Sequence, residues 1–224
     1  MSDTKLPNAG FLSEASEGLR QMLQTLARPM KLEDGQVLFE HGEVGDALYA
    51  ITTGEIEFSI ISADGRKLTL DMMRPGDLFG EICLFDPGER TATATATQDS
   101  AVLRISNSDV LKEISKHPSL AVDMINLAGA RMRWMGSQYN EQVFLPMSAR
   151  LARKVLYLSQ RGGKPEPKLR LSQAELAEFV GSTREAVSKT ISGWRKEGLV
   201  TASRGGLEIH DREGLRAMAQ PSQL

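Results

Sequence analysis

The strongest constraint in this chain is a helical stretch running without interruption from Pro118 to about Phe144. Proline is tolerated in the first turn of a helix, and the next proline, Pro146, marks its end and a hinge. About 27 residues at 1.5 Å each make a rod of roughly 40 Å. A rod of that length is hard to bury in a small domain. Ala121, Ile125, Ala128, Met132, Met135, Tyr139 and Gln142 follow one another at steps of four and three, which is heptad spacing. This seam is expected to pair with its copy in a homodimer. The alternative is that it packs on a neighbouring strand domain. Gly136 weakens the helix locally.

The sequence changes character on either side of the rod. Before it, short apolar runs alternate with glycine turns: Val37–Phe39, Ala47–Ile51, Ile56–Ile60, Lys67–Met73, Thr91–Ala96 and Ala101–Ile105. Ile56-Glu57-Phe58-Ser59-Ile60 alternates apolar and polar residues, as a half-buried strand does. Asp64-Gly65 supplies the positive φ of a hairpin turn. Strands at this spacing predict an antiparallel barrel or sandwich. A short helix capped by Ser106 or Asn107 follows, through Ile114. After the rod comes a third helix, Ser148 to Gln160, with Leu151, Val155 and Leu158 on one face.

Charge divides along the same line. Up to Pro146 there are 13 Lys+Arg against 21 Asp+Glu, and from Met147 onward 14 against 8. A net −8 and a net +6 make up the −2 of the whole. The acidic and basic parts therefore suit different partners, and the basic part suits a polyanion. One cysteine, Cys83, excludes an internal disulfide and a cysteine-held iron–sulfur cluster. His41, His117 and His210 match no metal spacing, and His41 sits in a turn rather than where a haem ligand is needed. No metal, haem or cluster is expected. No apolar run reaches the roughly 18 residues of a membrane span, and Met1 to Gly10 is too polar for a secretory signal, so a cytoplasmic protein is expected.

The basic part carries a helix-turn-helix pattern. Ser172 and Glu175 form a capping box that opens a helix with Leu176, Ala177, Phe179 and Val180 on its apolar face. Gly181 breaks it, and Thr183 caps a second helix, Arg184 to about Glu197, that buries Val187, Ile191 and Trp194. Leu199-Val200, the turn Arg204-Gly205-Gly206 and Leu207–Ile209 follow as a two-stranded wing. In this motif the second helix enters the major groove N-terminus first, so Arg184, Glu185, Ala186 and Lys189 are the candidate readers. Arginine bonds guanine with a two-pronged fork, and glutamate accepts from cytosine N4.

Strands, a long helix and a winged helix-turn-helix, in this order, resemble the CRP/FNR family of bacterial transcription regulators over roughly Leu23 to Ile209. The resemblance implies an α+β chain: an N-terminal antiparallel β-roll (a double-stranded jelly-roll) that binds cyclic nucleotide, a long dimerisation helix, and a C-terminal winged helix-turn-helix. The corresponding domains are residues 1–117, 118–145 and 146–224. Phe79-Gly80-Glu81-Ile82-Cys83-Leu84-Phe85 with Arg90-Thr91-Ala92 is similar to the family's phosphate-binding cassette. There the resemblance gives Glu81 the ribose 2′-hydroxyl and gives Arg90 and Thr91 the cyclic phosphate. It sets Arg131 to pair with Glu81. Phe58, Leu70 and Met73 are the expected apolar walls for the base. The bland reading of the cassette is a loop with a surface ion pair between Glu81 and Arg90.

The chain departs from the family at the base. Where cyclic-AMP-responsive members place a Thr-Ser pair on the long helix, this sequence has Met135-Gly136, whose side chains cannot make those hydrogen bonds. Cyclic AMP is the first choice by resemblance and cyclic GMP a close second. Thr183-Arg184-Glu185-Ala186-Val187-Ser188-Lys189 resembles the recognition helix and implies a palindromic TGTGA-like site. Ser172, Gln173 and Thr183 fall at phosphate-contacting positions. Lys189 stands where the catabolite activator has arginine. The loop Arg161-Gly162-Gly163-Lys164 lies near where family activators touch RNA polymerase. The rival readings are a constitutive or other-ligand regulator with a relic cassette, a nucleotide-binding regulatory protein that does not bind DNA, and an enzyme. The last has no Walker loop, HExxH or G-x-S-x-G to support it.

Overall fold

A computed structural model describes residues 5–8, 10–160, 167–203 and 206–220. The loop Arg161–Lys164 and the wing residues Arg204 and Gly205 lie outside the described residues, as does the side chain of Gln142. Contacts gather the chain into two units, residues 1–61 with 70–134, and residues 62–69 with 135–224. The long helix runs through the boundary.

The strands form two four-stranded antiparallel sheets. In one, β1 (Arg28–Leu32), β8 (Ser100–Ser106), β3 (Ala47–Thr53) and β6 (Leu78–Phe79) lie side by side. In the other the order is β2 (Val37–Phe39), β7 (Thr93–Ala96), β4 (Ile56–Ile61) and β5 (Lys67–Met73). β3 shows why its sequence lacks alternation: both of its faces are covered. Leu48 and Ala50 point into a core made with the helices. Ala47, Tyr49 and Ile51 point into a second core with Phe39, Ile56, Met73, Phe79 and Val102.

Helices close one side of the first sheet. A short 3-10 helix (Gly10–Glu14) leads to α1 (Glu17–Leu26), whose cap Ser16 accepts from Leu19 N–H at 3.1 Å and which buries Leu19 and Leu23. A one-turn helix, α2 (Ile82–Phe85), lies between β6 and β7, and α3 (Asn107–Lys116) follows β8. The rod is α4 (Ser119–Phe144). Its Leu120, Met124 and Leu127 are buried in the helical core, a stripe at i, i+4, i+7. Each such side chain contributes about 1.5–3 kcal/mol. The heptad seam is a different stripe. Ile125 is 66 %, Met132 72 % and Tyr139 70 % exposed, with Ala121 and Ala128 half-buried.

The second unit is built on α5 (Met147–Leu158), with Leu151, Val155 and Leu158 fully buried. Arg153 ties it to α4 through Glu141 at 2.8 Å. α6 (Gln173–Val180) and α7 (Arg184–Lys196) follow, then β10 (Val200–Ser203) and β11 (Gly206–Ile209). β9 (Lys168–Leu169) adds a third strand to the wing, in the order β10-β11-β9. A last helix, α8 (Arg212–Met218), is fastened by Arg212, whose guanidinium donates to Ser159 Oγ at 2.6 Å.

Candidate functional site

The cassette grows out of β6. After Phe79 the chain takes a positive φ of 82° at Gly80, and α2 begins beyond Glu81. A side chain at Gly80 has no room: its Cβ would lie 2.7 Å from Arg90 Nη1 and 2.9 Å from the carbonyl oxygen of Ala47. At Gly45, in the facing loop, a Cβ would collide first with the Cys83 side chain and would lie 3.0 Å from Arg90 Cζ. Glycine at both positions lets two loops close around one guanidinium.

Arg90 is 4 % exposed. It donates from Nη2 to Ala47 O at 2.8 Å and from Nη1 to Gly80 O at 3.3 Å, and its Cζ stands 4.2 Å above the Phe39 ring. Phe39 in turn packs against Tyr49, Phe58 and Phe79. Among the described residues no carboxylate lies within ion-pair distance of Arg90. The Glu81–Arg90 surface pair is thus not formed. Glu81 instead meets Arg131 of α4, Oε1 to Nε 3.6 Å, with both side chains largely buried. Arg131 also lies 4.5 Å over the Trp134 ring. Beside this pair is a cavity of about 10 Å³ lined by Leu78, Glu81, Phe85, Leu127, Ala128 and Arg131. That is space for about one water molecule.

The other expected ligand residues divide. Thr91 and Ile82 are exposed, and Ala92 is buried. Phe58 and Met73 share the interior of the roll. Leu70 lies on the opposite face of β5 from Met73 and is 42 % exposed, so those two do not form one wall. Met135 and Gly136 are exposed on α4, and a Cβ at Gly136 would touch nothing within 4 Å. Sequence reasoning missed Phe39, Tyr49 and Gly45 around Arg90. A further acid, Asp77, accepts from Arg74 N–H at 2.8 Å. Burial holds its carboxyl above the usual range, and Asp71 adds to the rise; the Arg74 N–H and the Arg131 and Arg74 guanidiniums oppose it.

In the second unit the helix-turn-helix has the expected caps. Ser172 Oγ accepts from Glu175 N–H at 3.2 Å while Glu175 Oε2 accepts from Ser172 N–H at 2.7 Å. Gly181 ends α6 at φ 59°, and Thr183 Oγ1 accepts from Ala186 N–H at 3.2 Å. Both cap hydroxyls still have their own proton to donate. Val187, Ile191 and Trp194 are buried, which turns Arg184, Glu185 and Lys189 outward. Ala186 and Gln173 are half-buried, while Ser172 and Thr183 are exposed.

Two family models match this chain, the cyclic nucleotide-binding domain over residues 29–117 and the Crp-like helix-turn-helix domain over residues 149–218. The chain is 31% identical over 185 residues to the "Cyclic AMP receptor protein" of Thermus thermophilus, covering 83% of this chain and 85% of that one. It is 29% identical over 223 residues to the "CRP-like cAMP-activated global transcriptional regulator" of Mycobacterium tuberculosis, covering 97% and 100%. The structure of the c-di-GMP responsive global regulator CLP of Xanthomonas campestris shares the fold, with a TM-score of 0.74 at 20% identity over 88% of this chain and 100% of that one.

Proposed function

This chain belongs to the CRP/FNR family of transcription regulators, and from that premise we propose that it is a homodimeric DNA-binding regulator gated by a cyclic mononucleotide. Its relatives are transcription regulators rather than enzymes, and no described helix is long and apolar enough to cross a membrane. The observation that carries the gating is Arg90. A buried guanidinium without a counter-charge is costly, and two carbonyl oxygens and an aromatic face only partly offset this. A cyclic phosphate supplies the missing charge in the planar, two-oxygen form that arginine prefers. Thr91, exposed next to it, has a hydroxyl to add. Glu81 would take the ribose hydroxyl, as an acceptor.

A ligand that took Glu81 for its ribose hydroxyl would loosen or part the pair with Arg131. Arg131 lies on α4, which also carries the exposed seam and runs on to Pro146. Parting the pair would therefore bias the helix that pairs the protomers and, beyond it, the hinge. A ligand that favours one arrangement by a few kcal/mol shifts the population accordingly. The seam, with Ile125, Met132, Met135 and Tyr139 exposed, supports the dimer. Two recognition helices about 34 Å apart would then meet successive major grooves of a TGTGA-like palindrome. Arg184, Glu185 and Lys189 would read bases, and Ser172, Gln173 and Thr183 would hold phosphates. The functional division at residues 117/118 and 145/146 is part of this proposal, as is contact with RNA polymerase. Likeness alone puts cyclic AMP ahead of cyclic GMP.

The test is unfolding with cyclic AMP, cyclic GMP and a non-cyclic nucleotide at matched salt. Ligand at a hundred times its Kd raises stability by about 2.7 kcal/mol. A response to a cyclic nucleotide but not to the control is expected. No response to either makes the cassette a relic.

A further inference from the structure

Buried polar side chains are nearly always well bonded, so one with few partners calls for an explanation. β5 has such a residue. Its pleat puts Asp71 and Met73 on one face, together with Thr69. Asp71 is 6 % exposed, and among the described residues the one hydrogen bond it accepts is from Met72 N–H at 2.8 Å. An ionised carboxylate offers about four acceptor positions on two oxygens. Most of those on Asp71 have no donor. Nearby, Arg74 Nε meets Glu55 at 3.4 Å and Arg131 Nε meets Glu81 at 3.6 Å. Thr69, two positions earlier on the same strand, is 2 % exposed, and among the described residues its hydroxyl has no partner.

The position of Asp71 ties it to the cassette. Met73, on its own face of the strand, packs with Phe58 and Phe79, and those rings meet Phe39 beneath Arg90. Asp71 and Arg131 also both act on the carboxyl of Asp77. So the under-bonded carboxylate shares the interior of the roll with the phosphate-holding end of the site.

We infer that Asp71 reads the base of the bound nucleotide and selects guanine over adenine. This rests on the reading of the cassette as a cyclic-nucleotide site, and it goes against the order that likeness gives. The reason is the pattern of donors. The Watson–Crick edge of guanine presents N1–H and N2–H side by side, and a carboxylate accepts both. Adenine presents one donor, the N6 amino group, next to the N1 lone pair. Against a carboxylate that lone pair faces a second acceptor, and the pairing is lost. An asparagine amide has an acceptor for N6–H and a donor for N1, and fits the adenine edge instead. The Met135-Gly136 pair, which offers no side-chain hydrogen bonds to a base, leaves this task to the roll.

The experiment is calorimetric titration of the full chain with cyclic GMP, cyclic AMP and cyclic inosine monophosphate, which keeps N1–H but lacks the N2 amino group. Wild type is expected to bind cyclic GMP about ten- to a hundredfold more tightly than cyclic AMP, with the inosine ligand between. Asp71→Asn is expected to reverse the order, a gain for cyclic AMP that mere damage to the fold would not produce. Asp71→Ala is expected to bring the ligands to similar affinity. Nucleotide binding that depends on Arg90 but keeps the same order in all three proteins would overturn this inference and leave the cassette reading intact. Failure of wild type to bind any of the three would overturn the cassette reading, and this inference with it.

Discussion

Replacing Gly80 by alanine separates a glycine that the backbone needs from one that the site needs. Gly65, in the β4–β5 turn, is its control. Both have positive φ, 82° and 79°, where an L side chain costs about 1–2 kcal/mol. At Gly65 a Cβ meets nothing within 4 Å, so Gly65→Ala should cost only that amount. At Gly80 the Cβ would collide with Arg90 Nη1, which donates to Gly80 O, and with Ala47 O, which accepts from Arg90 Nη2. Arg90 would have to leave at least one carbonyl, and a hydrogen bond to a charged group is worth about 1.5–3 kcal/mol. The expected cost of Gly80→Ala is therefore about 2.5–5 kcal/mol, a large part of the stability of an ordinary domain. Urea unfolding followed by circular dichroism measures both variants, and fluorescence titration with a cyclic nucleotide measures the site. Gly65→Ala should bind as wild type does, and Gly80→Ala should bind far more weakly. Equal stability of the two variants, with wild-type binding in both, would refute the claim that Arg90 is held by close packing on Gly80.

Other outcomes follow from the same structure. Met132→Glu with Tyr139→Glu places charge on the exposed seam and should give a monomer by sedimentation; a persistent dimer would mean another interface. Arg184→Ala should lose about 1–3 kcal/mol of operator affinity and relax one base pair, whereas an equal loss on every sequence would make it a phosphate contact. Asp77 is held above the usual carboxylate range in the folded state, so ionising it there opposes folding. Its contribution to stability is intact below the unfolded carboxyl pKa and is lost as pH rises through the folded one. Asp77→Asn keeps an acceptor for Arg74 N–H and should stabilise the protein at neutral pH, with the gain vanishing in acid. A gain of equal size at every pH would show that the carboxyl's charge is not the cause.

Much of the fold was legible because glycine turns bracket the strands and because caps bracket the helices. The strand expected at Lys67–Met73 matches β5 to the residue, the expected rod matches α4 to within one residue at its start, and the box of Ser172 with Glu175 forms as expected. β1 was not legible, for Arg28-Pro29-Met30-Lys31-Leu32 shows no alternation and contains a proline. Its place at the edge of the sheet is what makes that proline acceptable. β6 and β9 have two residues each, too short for any periodicity to show. α1 and α8 have caps in Ser16 and Asp211, a signal present in the sequence. At the site, the pairing of Glu81 with Arg131 was foreseen through resemblance. The aromatic bed of Arg90 was not, because Phe39, Tyr49 and Phe79 come from three strands that only tertiary pairing unites. The exposure of Leu70 follows from the period of two in a strand, which sets it opposite Met73.

The central claim is that a nucleotide held by Arg90 controls DNA binding. Operator affinity, measured at one fixed salt concentration for wild type and Arg90→Leu with and without cyclic nucleotide, tests it directly. The account predicts that nucleotide strengthens operator binding by wild type and leaves Arg90→Leu, folded as before, unchanged. Equal operator affinity of wild type with and without nucleotide, or an undiminished response in Arg90→Leu, would contradict it.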